Sequence, residues 1–211
     1  MKDIIITIGR QTGSGGRAIG MKLSDKLGIP FYDRELLERA AKESGLAEEI
    51  LEKHDEKSGR GFFSSLGLAS SFGFINSAGG QDMPLDYRIF LAQFETIRKI
   101  ADEGPCIIVG RCADYALEGY KDSLNVFICA PEEDRIIEMN NRYEDLDVAK
   151  AAAQIAHTDK TRASYYNYYT NKKWGAASGY DLCLNSSALG YDTCAEIIIK
   201  AARTKEDTIK K

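Results

Sequence analysis

An apolar run, a loop of glycines and a helical pattern follow one another near the start of the chain. Residues 4–8 are apolar or β-branched, glycine recurs at four positions between residues 9 and 16, and residues 19–27 carry an apolar stripe with i, i+4, i+8 spacing. A glycine-rich turn between a strand and a helix directs backbone N–H groups and a helix N-terminus to one point, which suits a phosphate group. Glycine also permits the positive φ angles that such a loop needs. The sequence therefore predicts a phosphate site in this loop.

Two kinds of nucleotide-binding loop fit this stretch. In a dinucleotide-binding interpretation, residues 13–18 read G-x-G-x-x-A and Asp33 is the acid that binds a ribose about 20 residues further on. In that class the glycines follow the strand directly, whereas here Gly9 opens a wider loop before Gly13. In a P-loop interpretation, residues 9–15 form a wide cradle for the phosphates of a nucleoside triphosphate.

The chain lacks the two residues that usually follow the last glycine of a P-loop. The P-loop pattern places Lys and then Ser or Thr after the last loop glycine, where Lys neutralises phosphate charge and the hydroxyl holds Mg²⁺. This sequence has Gly16 and Arg17 instead. Arg10 and Arg17 flank the loop and are the candidates for the missing positive charge. A guanidinium, however, binds phosphate as a planar fork and not as a point charge.

Further cations favour the P-loop interpretation. Arg111 follows a predicted buried strand, at the strand end where α/β sheets bind ligands. Arg135 and Arg142 lie seven residues apart on one predicted helix and hence on one face, while Lys160 and Arg162 lie on the next predicted helix. A single arginine is usually a surface residue. Several together suit phosphoryl transfer, which depends on positioning and charge stabilisation.

The predicted elements that position these residues alternate between strand and helix. Strands are predicted at 4–8, 29–32, 106–109, 124–129 and 182–185, and helices at 16–27, from 34, at 87–103, from 131, from 147 and at 193–203. Strands this apolar are typical of parallel sheets covered on both faces. The pattern predicts an α/β, three-layer fold with a mainly parallel sheet and a solvated tail after residue 203.

Residues 58–84 break the alternation. They are rich in glycine and serine, carry scattered phenylalanines and show no period. A long loop of this kind inside a domain is usually functional or disordered. We interpret it as the tip of an inserted subdomain, and two hypotheses stay open: it docks on a partner or across a homodimer, or it packs weakly on its own domain.

Composition limits the classes of function. The 211 residues suffice for one domain with an insert, and the net charge of −4 argues against nucleic acid or an anionic membrane as a partner. No apolar run is long enough for a signal-peptide core or a membrane span. Five cysteines without a CxxC pair, and only two histidines, argue against a metal site and favour reduced thiols in the cytoplasm.

Six short motifs occur in an order that belongs to a known group of enzymes. They are Gly13-Ser14-Gly15, Phe31-Tyr32-Asp33, Val109-Gly110-Arg111, Ala130-Pro131-Glu132-Glu133-Asp134-Arg135, Asp159-Lys160-Thr161-Arg162, and residues 180–187. Together they resemble the cytidylate kinase group of P-loop nucleoside monophosphate kinases, and more closely its cytidylate kinase-like branch. The resemblance covers most of the chain apart from residues 43–84.

The resemblance implies an architecture: a single P-loop NTPase-type, kinase-like domain over residues 1–211. It implies an inserted helical region at 34–97 that binds a nucleoside monophosphate (NMP), and a helical lid at 157–178.

The resemblance also implies roles for individual residues. The loop residues would bind the phosphates of ATP: Arg10, Gly13, Ser14, Gly15, Gly16 and Arg17. The residues at or near the acceptor would be Asp33, Arg111, Arg135 and Arg142, with Asp33 beside the transferring group and Arg111 on the monophosphate. Arg162 and Lys160 would come from the lid over the transition state, so that Arg17, Asp33, Arg162 and Lys160 form the predicted catalytic set.

The expected function is ATP- and Mg²⁺-dependent phosphoryl transfer to an NMP, with small-molecule nucleotides as partners and a homodimer left open. Cytidylate kinases have an acid directly after the Gly-Arg pair, where this chain has Cys112, with Asp114 two residues on. The sequence therefore does not specify the acceptor base. Two alternatives stay open: a nucleotide sensor or pseudokinase without turnover, because Lys and Ser/Thr are absent from the loop, and an NAD-type dinucleotide binder.

Overall fold

A computed structural model describes residues 4–33, 85–142 and 147–209, together with residues 39, 42 and 43. The chain divides into two compact units, one formed by Met1–Asp33 and Ile97–Lys211 and the other by Arg34–Thr96. Most of the predicted NMP-binding region at 34–97, including the helix expected from residue 34 and the segment 58–84, lies outside the described residues. Its role stays a prediction.

The larger unit contains a five-stranded sheet whose neighbouring strands all run parallel. Its strands are β1 (Ile5–Arg10), β2 (Phe31–Tyr32), β3 (Ile107–Val109), β4 (Ser123–Cys129) and β5 (Leu182–Asn185). The spatial order is β2-β3-β1-β4-β5, so β3 and β4 flank β1. The usual dinucleotide-binding sheet instead places its second strand beside the first. The topology thus removes support for the dinucleotide-binding interpretation.

Helices connect the strands and close the chain. They are α1 (Gly16–Leu27), α2 (Leu85–Glu103), α3 (Ala113–Ala116), α4 (Glu132–Arg142), α5 (Val148–Thr170), a 3₁₀ turn (Ala177–Gly179), α6 (Ser186–Leu189) and α7 (Tyr191–Ile209). The predicted end of the last helix at residue 203 was wrong. Helix α7 continues to Ile209 because Ala202 is buried and the ammonium of Lys205 donates to the backbone oxygen of Ser123 at 2.5 Å.

Both faces of β1 are covered. Ile6 and Ile8 share a core with Ile19 of α1 and Ile198 of α7, and all four are fully buried. Ile5 points to the other face and is also buried, at 1 % exposure. The prediction of a three-layer α/β fold is confirmed. Among the described helices, none has the length and apolarity to cross a membrane.

Candidate active site

The loop between β1 and α1 depends on two glycines in the left-handed region. Gly13 has φ 77° and Gly15 has φ 74°, and Gly15 caps the N-terminus of α1. A β-carbon at position 13 would lie 2.7 Å from the backbone oxygen of Arg135, and one at position 15 would run into the ring of Tyr191. The neighbouring helices therefore require glycine at both positions. All the residues of this site belong to the larger unit.

Ser14 shapes the loop through its side chain. It is 1 % exposed, and its hydroxyl lies 2.9 Å from the backbone oxygen of Gln11 and 3.1 Å from that of Ile128. The hydroxyl of Ser186 in turn donates to the backbone oxygen of Ser14 at 2.7 Å. The hydroxyl of Ser14 already bonds within the protein. The predicted contact of Ser14 with a phosphate would therefore have to come from its backbone.

Asp159 of α5 joins the loop to α4. Its Oδ1 accepts hydrogen bonds from the backbone N–H of Thr12 at 2.8 Å and from the hydroxyl of Thr12 at 2.7 Å. Its Oδ2 accepts from Nη1 of Arg135 at 2.7 Å, and the same nitrogen lies 3.3 Å from the backbone oxygen of Thr12. The two charged side chains are only 10 % and 15 % exposed. Asp159 therefore balances buried positive charge beside the loop.

Arg162 reaches the same place from one turn further along α5. Its Nη1 donates to the hydroxyl of Thr12 at 3.1 Å and to the backbone oxygen of Arg10 at 3.3 Å. Residues three apart share a helix face, so Asp159 and Arg162 both face the loop. Lys160 lies on another face and is exposed. The structure brings Arg162 to the loop and does not bring Lys160 there.

Asp33, at the end of β2, lies between two arginines. Its Oδ2 accepts from Nε of Arg17 at 3.0 Å, and its Oδ1 lies 3.7 Å from Nη2 of Arg10. Arg17 is half exposed, its guanidinium also lies near the sulfur of Met21, and it stacks 5.7 Å from the centre of the Phe31 ring. Asp33 is 7 % exposed. The structure therefore joins three of the predicted residues at the edge of the sheet.

Arg10, Arg111 and Arg162 form a cluster of positive charge. Burial lowers the pKa of Arg10, and the charges of Arg162 and Arg111 lower it further, against the opposing effect of Asp33 and Asp159. Burial also lowers the pKa of Arg162, and Arg111 again contributes. Positive charges that depress one another's pKa values are stabilised by an anion between them. The cluster therefore suits an anionic ligand.

The strand-end segment that carries Arg111 has an unusual backbone. Gly110, Arg111 and Cys112 have φ values of 78°, 59° and 53°, and the last two are rare for residues with side chains. Such conformations concentrate at functional sites, where surrounding structure maintains them. The guanidinium of Arg10 packs directly against Gly110.

Arg142 does not join the cluster. Its guanidinium pairs with Glu138 at 3.0 Å and the side chain is 46 % exposed. Seven helical residues advance it about 10 Å along α4 from Arg135. A shared face therefore did not bring both arginines to the loop.

A cavity of about 280 Å³ adjoins the loop on the side of α4 and α7. Gly13 forms one wall, Ile137 and Glu138 of α4 a second, and Ser187 and Tyr191 a third. Apart from Gly13, no residue of this cavity had a predicted role, and Asp159 was predicted only as part of a motif. The D-x-x-R spacing on a helix was the signal that could have placed Asp159 beside Arg162.

Comparison with protein families gives one match, to the cytidylate kinase-like family, over residues 5–188. The chain belongs to this family. No curated protein matches the chain. Membership agrees with the six motifs, and the chain has the family and fold of nucleotide-binding phosphotransferases.

Several solved structures resemble this cytidylate kinase-like chain. An uncharacterized protein from Eubacterium ventriosum ATCC 27560 is 28% identical with a TM-score of 0.70, and the match covers 95% of this chain and 98% of that one. Shikimate kinase from Acinetobacter baumannii in complex with shikimate is 12% identical with a TM-score of 0.51, covering 96% and 93%. A gluconokinase from Sinorhizobium meliloti 1021 is also 12% identical at 0.51, covering 98% and 97%. The two kinases support the P-loop kinase fold.

Proposed function

We propose that this protein transfers a phosphoryl group from ATP to a nucleoside monophosphate. The observation that carries the proposal is the meeting of Arg10, Arg111 and Arg162 with Asp33 beside the glycine loop. Phosphoryl transfer depends on positioning two anionic groups and stabilising the charge between them. A buried cluster with an excess of positive charge matches that requirement.

In this proposal, separate parts of the site bind the donor, the acceptor and the transferring group. The backbone of the loop and the N-terminus of α1 bind the donor phosphates, as helix N-termini commonly do. Arg111, at the end of β3, binds the acceptor phosphate, and Arg162 stabilises the transferring group. Asp33 orients the arginines and the acceptor. The acceptor attacks in line, so no covalent intermediate with the protein is required.

The nucleoside of ATP would lie in the cavity between α4 and α7. The cavity begins at Gly13, so a base placed there leads its phosphates onto the loop. Tyr191 and Ile137 offer apolar surface for a base, and Glu138 and Ser187 offer polar atoms at its edge. A small-molecule site combines apolar surface with a few placed polar groups, and this cavity offers both.

The residues present fit a Mg²⁺ ion that is held mainly by the nucleotide. Among the described residues, no group of three or more His, Cys, Asp or Glu side chains lies close enough together to hold a metal. Mg²⁺ commonly keeps several waters and binds one or two carboxylates plus substrate phosphates, and Asp33 is the acid best placed for this. Bound Mg²⁺ would supply neutralisation of phosphate charge.

The test is ADP production from ATP against a panel of nucleoside monophosphates, with ATP binding measured in parallel by calorimetry. We expect turnover with at least one acceptor. We also expect Arg111→Ala to raise the KM for that acceptor at least tenfold while changing the ATP affinity less than threefold. Arg203→Ala, an exposed arginine on α7, is the control and should change neither. Equal loss of affinity for both substrates would contradict the role of Arg111.

A second candidate is a nucleotide sensor without turnover. The observation that favours it is the pair Gly16 and Arg17, which stands where P-loop enzymes have Lys and Ser or Thr. Tight ATP binding with no ADP formed from any monophosphate would support the sensor and overturn the kinase.

A further inference from the structure

We propose that Arg10 is the functional replacement for the P-loop lysine, supplying its charge from the end of β1 instead of the start of α1. This inference rests on the proposed function, because it assigns a catalytic residue to the same site. Arg10 and Arg17 both flank the loop, and their spacing in the sequence gives no means to choose between them. The geometry at Gly16 and Gly110 distinguishes them.

The stem of Arg10 occupies the space that a side chain at position 16 would need. A β-carbon built on Gly16 would lie 2.6 Å from Cβ of Arg10 and 3.0 Å from its Cγ. Real β-carbons do not approach each other so closely, so this backbone does not accommodate a lysine at position 16 while position 10 also carries a side chain. The packing therefore admits a side chain at position 10 or at position 16, but not at both, and this chain has Arg10 and Gly16.

The charged end of Arg10 is held in place by a second glycine. Its Nη1 lies against Gly110, at a position that any β-carbon on that residue would occupy. Its Nη2 lies 3.7 Å from Oδ1 of Asp33. The side chain is only 16 % exposed. The guanidinium thus lies among the start of α1, the end of β2 and the end of β3.

The backbone of Arg10 is also tied to the predicted lid helix. Nη1 of Arg162 donates to the carbonyl oxygen of Arg10 at 3.3 Å, and the positive charge of Arg162 lowers the pKa of the Arg10 guanidinium. The positive charge of Arg111, which follows Gly110, also lowers the pKa of Arg10. Arg10 therefore lies where the charges of the donor site, the acceptor site and α5 converge, which is where a transferring phosphoryl group carries its charge.

Arg17 has a different environment. Its side chain is half exposed and runs along α1, where the guanidinium contacts Asp33, Met21 and the ring of Phe31. It therefore orients Asp33 from outside the cluster. The fixed position of Arg10 makes it the better stand-in for a lysine that neutralises phosphate charge in P-loop enzymes.

The experiment exchanges the charge between the two positions. Arg10→Met keeps an unbranched stem over Gly16 and removes the charge, and we expect kcat to fall about 10²–10³-fold, the range typical of a lost electrostatic stabiliser. The double variant Arg10→Gly/Gly16→Lys removes the Cβ that blocks position 16 and restores a cation from α1. We expect it to recover at least tenfold of the activity that Arg10→Gly loses. Gly16→Lys alone should lower the melting temperature, because Arg10 still fills the space.

Two controls accompany this exchange. Arg203→Ala should keep wild-type kcat, and thermal melts should show that Arg10→Met is folded. Activity of Arg10→Met within threefold of wild type, or a double variant no more active than Arg10→Gly, would overturn the assignment of Arg10 and leave the proposed function intact. A wild-type protein that binds no ATP would overturn the proposed function and this inference with it. If wild type binds ATP without turnover, ATP affinity replaces kcat as the readout, and a loss of less than threefold in Arg10→Met overturns the assignment.

Discussion

At the scale of single residues, Asp159 has the most demanding position in the site. Its carboxylate accepts three hydrogen bonds, two from Thr12 and one from Arg135, and Arg162 lies 3.8 Å from Oδ1. Arg135, which is buried, and Arg162, which is partly buried, would repel each other without it. Removal of one partner from a buried ion pair is costly because the other charge stays buried and uncompensated.

We expect Asp159→Ala to lower the free energy of unfolding by about 3 kcal/mol. Urea denaturation monitored by the single tryptophan measures this change. Asp25→Ala, an exposed acid on α1, serves as the matched control and should change the free energy of unfolding by less than about 0.5 kcal/mol. A loss of under about 1 kcal/mol for Asp159→Ala would show that the carboxylate does not balance Arg135 and Arg162.

At the scale of elements, the two ends of α1 carry glycines with similar backbones and different surroundings. Gly15 precedes the helix with φ 74° and lies against Tyr191, whereas Gly28 follows it with φ 66°, and a β-carbon added to Gly28 would meet no atom within 4 Å. Gly28 is needed for its conformation alone. Gly15 is needed for its conformation and for the approach of α7 to the loop.

The comparison of Gly15→Ala with Gly28→Ala separates these two requirements. We expect Gly28→Ala to cost about 1 kcal/mol, the strain of a left-handed alanine. We expect Gly15→Ala to cost about 3 kcal/mol, because overpacking against Tyr191 adds to the same backbone strain. Thermal or urea unfolding of both variants measures the difference. Equal losses of unfolding free energy would mean that the Tyr191 ring moves aside without a measurable energetic cost.

At the scale of the whole molecule, a partly buried carboxyl links α3 to α5. Asp114 accepts a hydrogen bond from the hydroxyl of Tyr166 at 2.5 Å, and burial raises the pKa of Asp114 in spite of that bond and the nearby charge of Lys172. A carboxyl with a raised pKa retains a proton in the folded state that the unfolded chain has lost. The folded state therefore loses stability as the pH rises from the ordinary pKa of an aspartate through the raised one.

We expect Asp114→Asn to stabilise the protein at pH 7.5 and to stabilise it less at pH 4.5, because the amide oxygen still accepts from Tyr166 and carries no charge. Urea denaturation at the two pH values measures the difference. Asp102→Asn provides the matched control, since Asp102 accepts from the hydroxyl of Tyr120 at 2.9 Å on the surface. An Asp114→Asn gain that is equal at both pH values would contradict the effect of burial on the pKa of Asp114.

Much of the fold could be predicted from the sequence because its signals are local. The period of the apolar residues and the glycines at the ends of α1 predicted that helix to the residue, and β5 likewise. The glycine-rich loop and the Gly-Arg pair after β3 also pointed to one edge of the sheet, since parallel strands place their C-terminal ends together. These features need no knowledge of distant partners.

Tertiary structure decided which of the candidate cations meet. Thr12 and Asp159 are 147 residues apart, and no spacing rule predicts their contact. The seven-residue spacing predicts one face of α4 for both arginines, yet only packing shows that Arg135 reaches the loop and that Arg142 remains exposed beside Glu138. The choice between Arg10 and Arg17 depends on which side chain passes over Gly16. The sequence by itself determined that a glycine-rich loop joins β1 to α1, because glycine and β-branched residues act through the local backbone. The positions of the charged side chains around that loop depend instead on the close packing of separate elements.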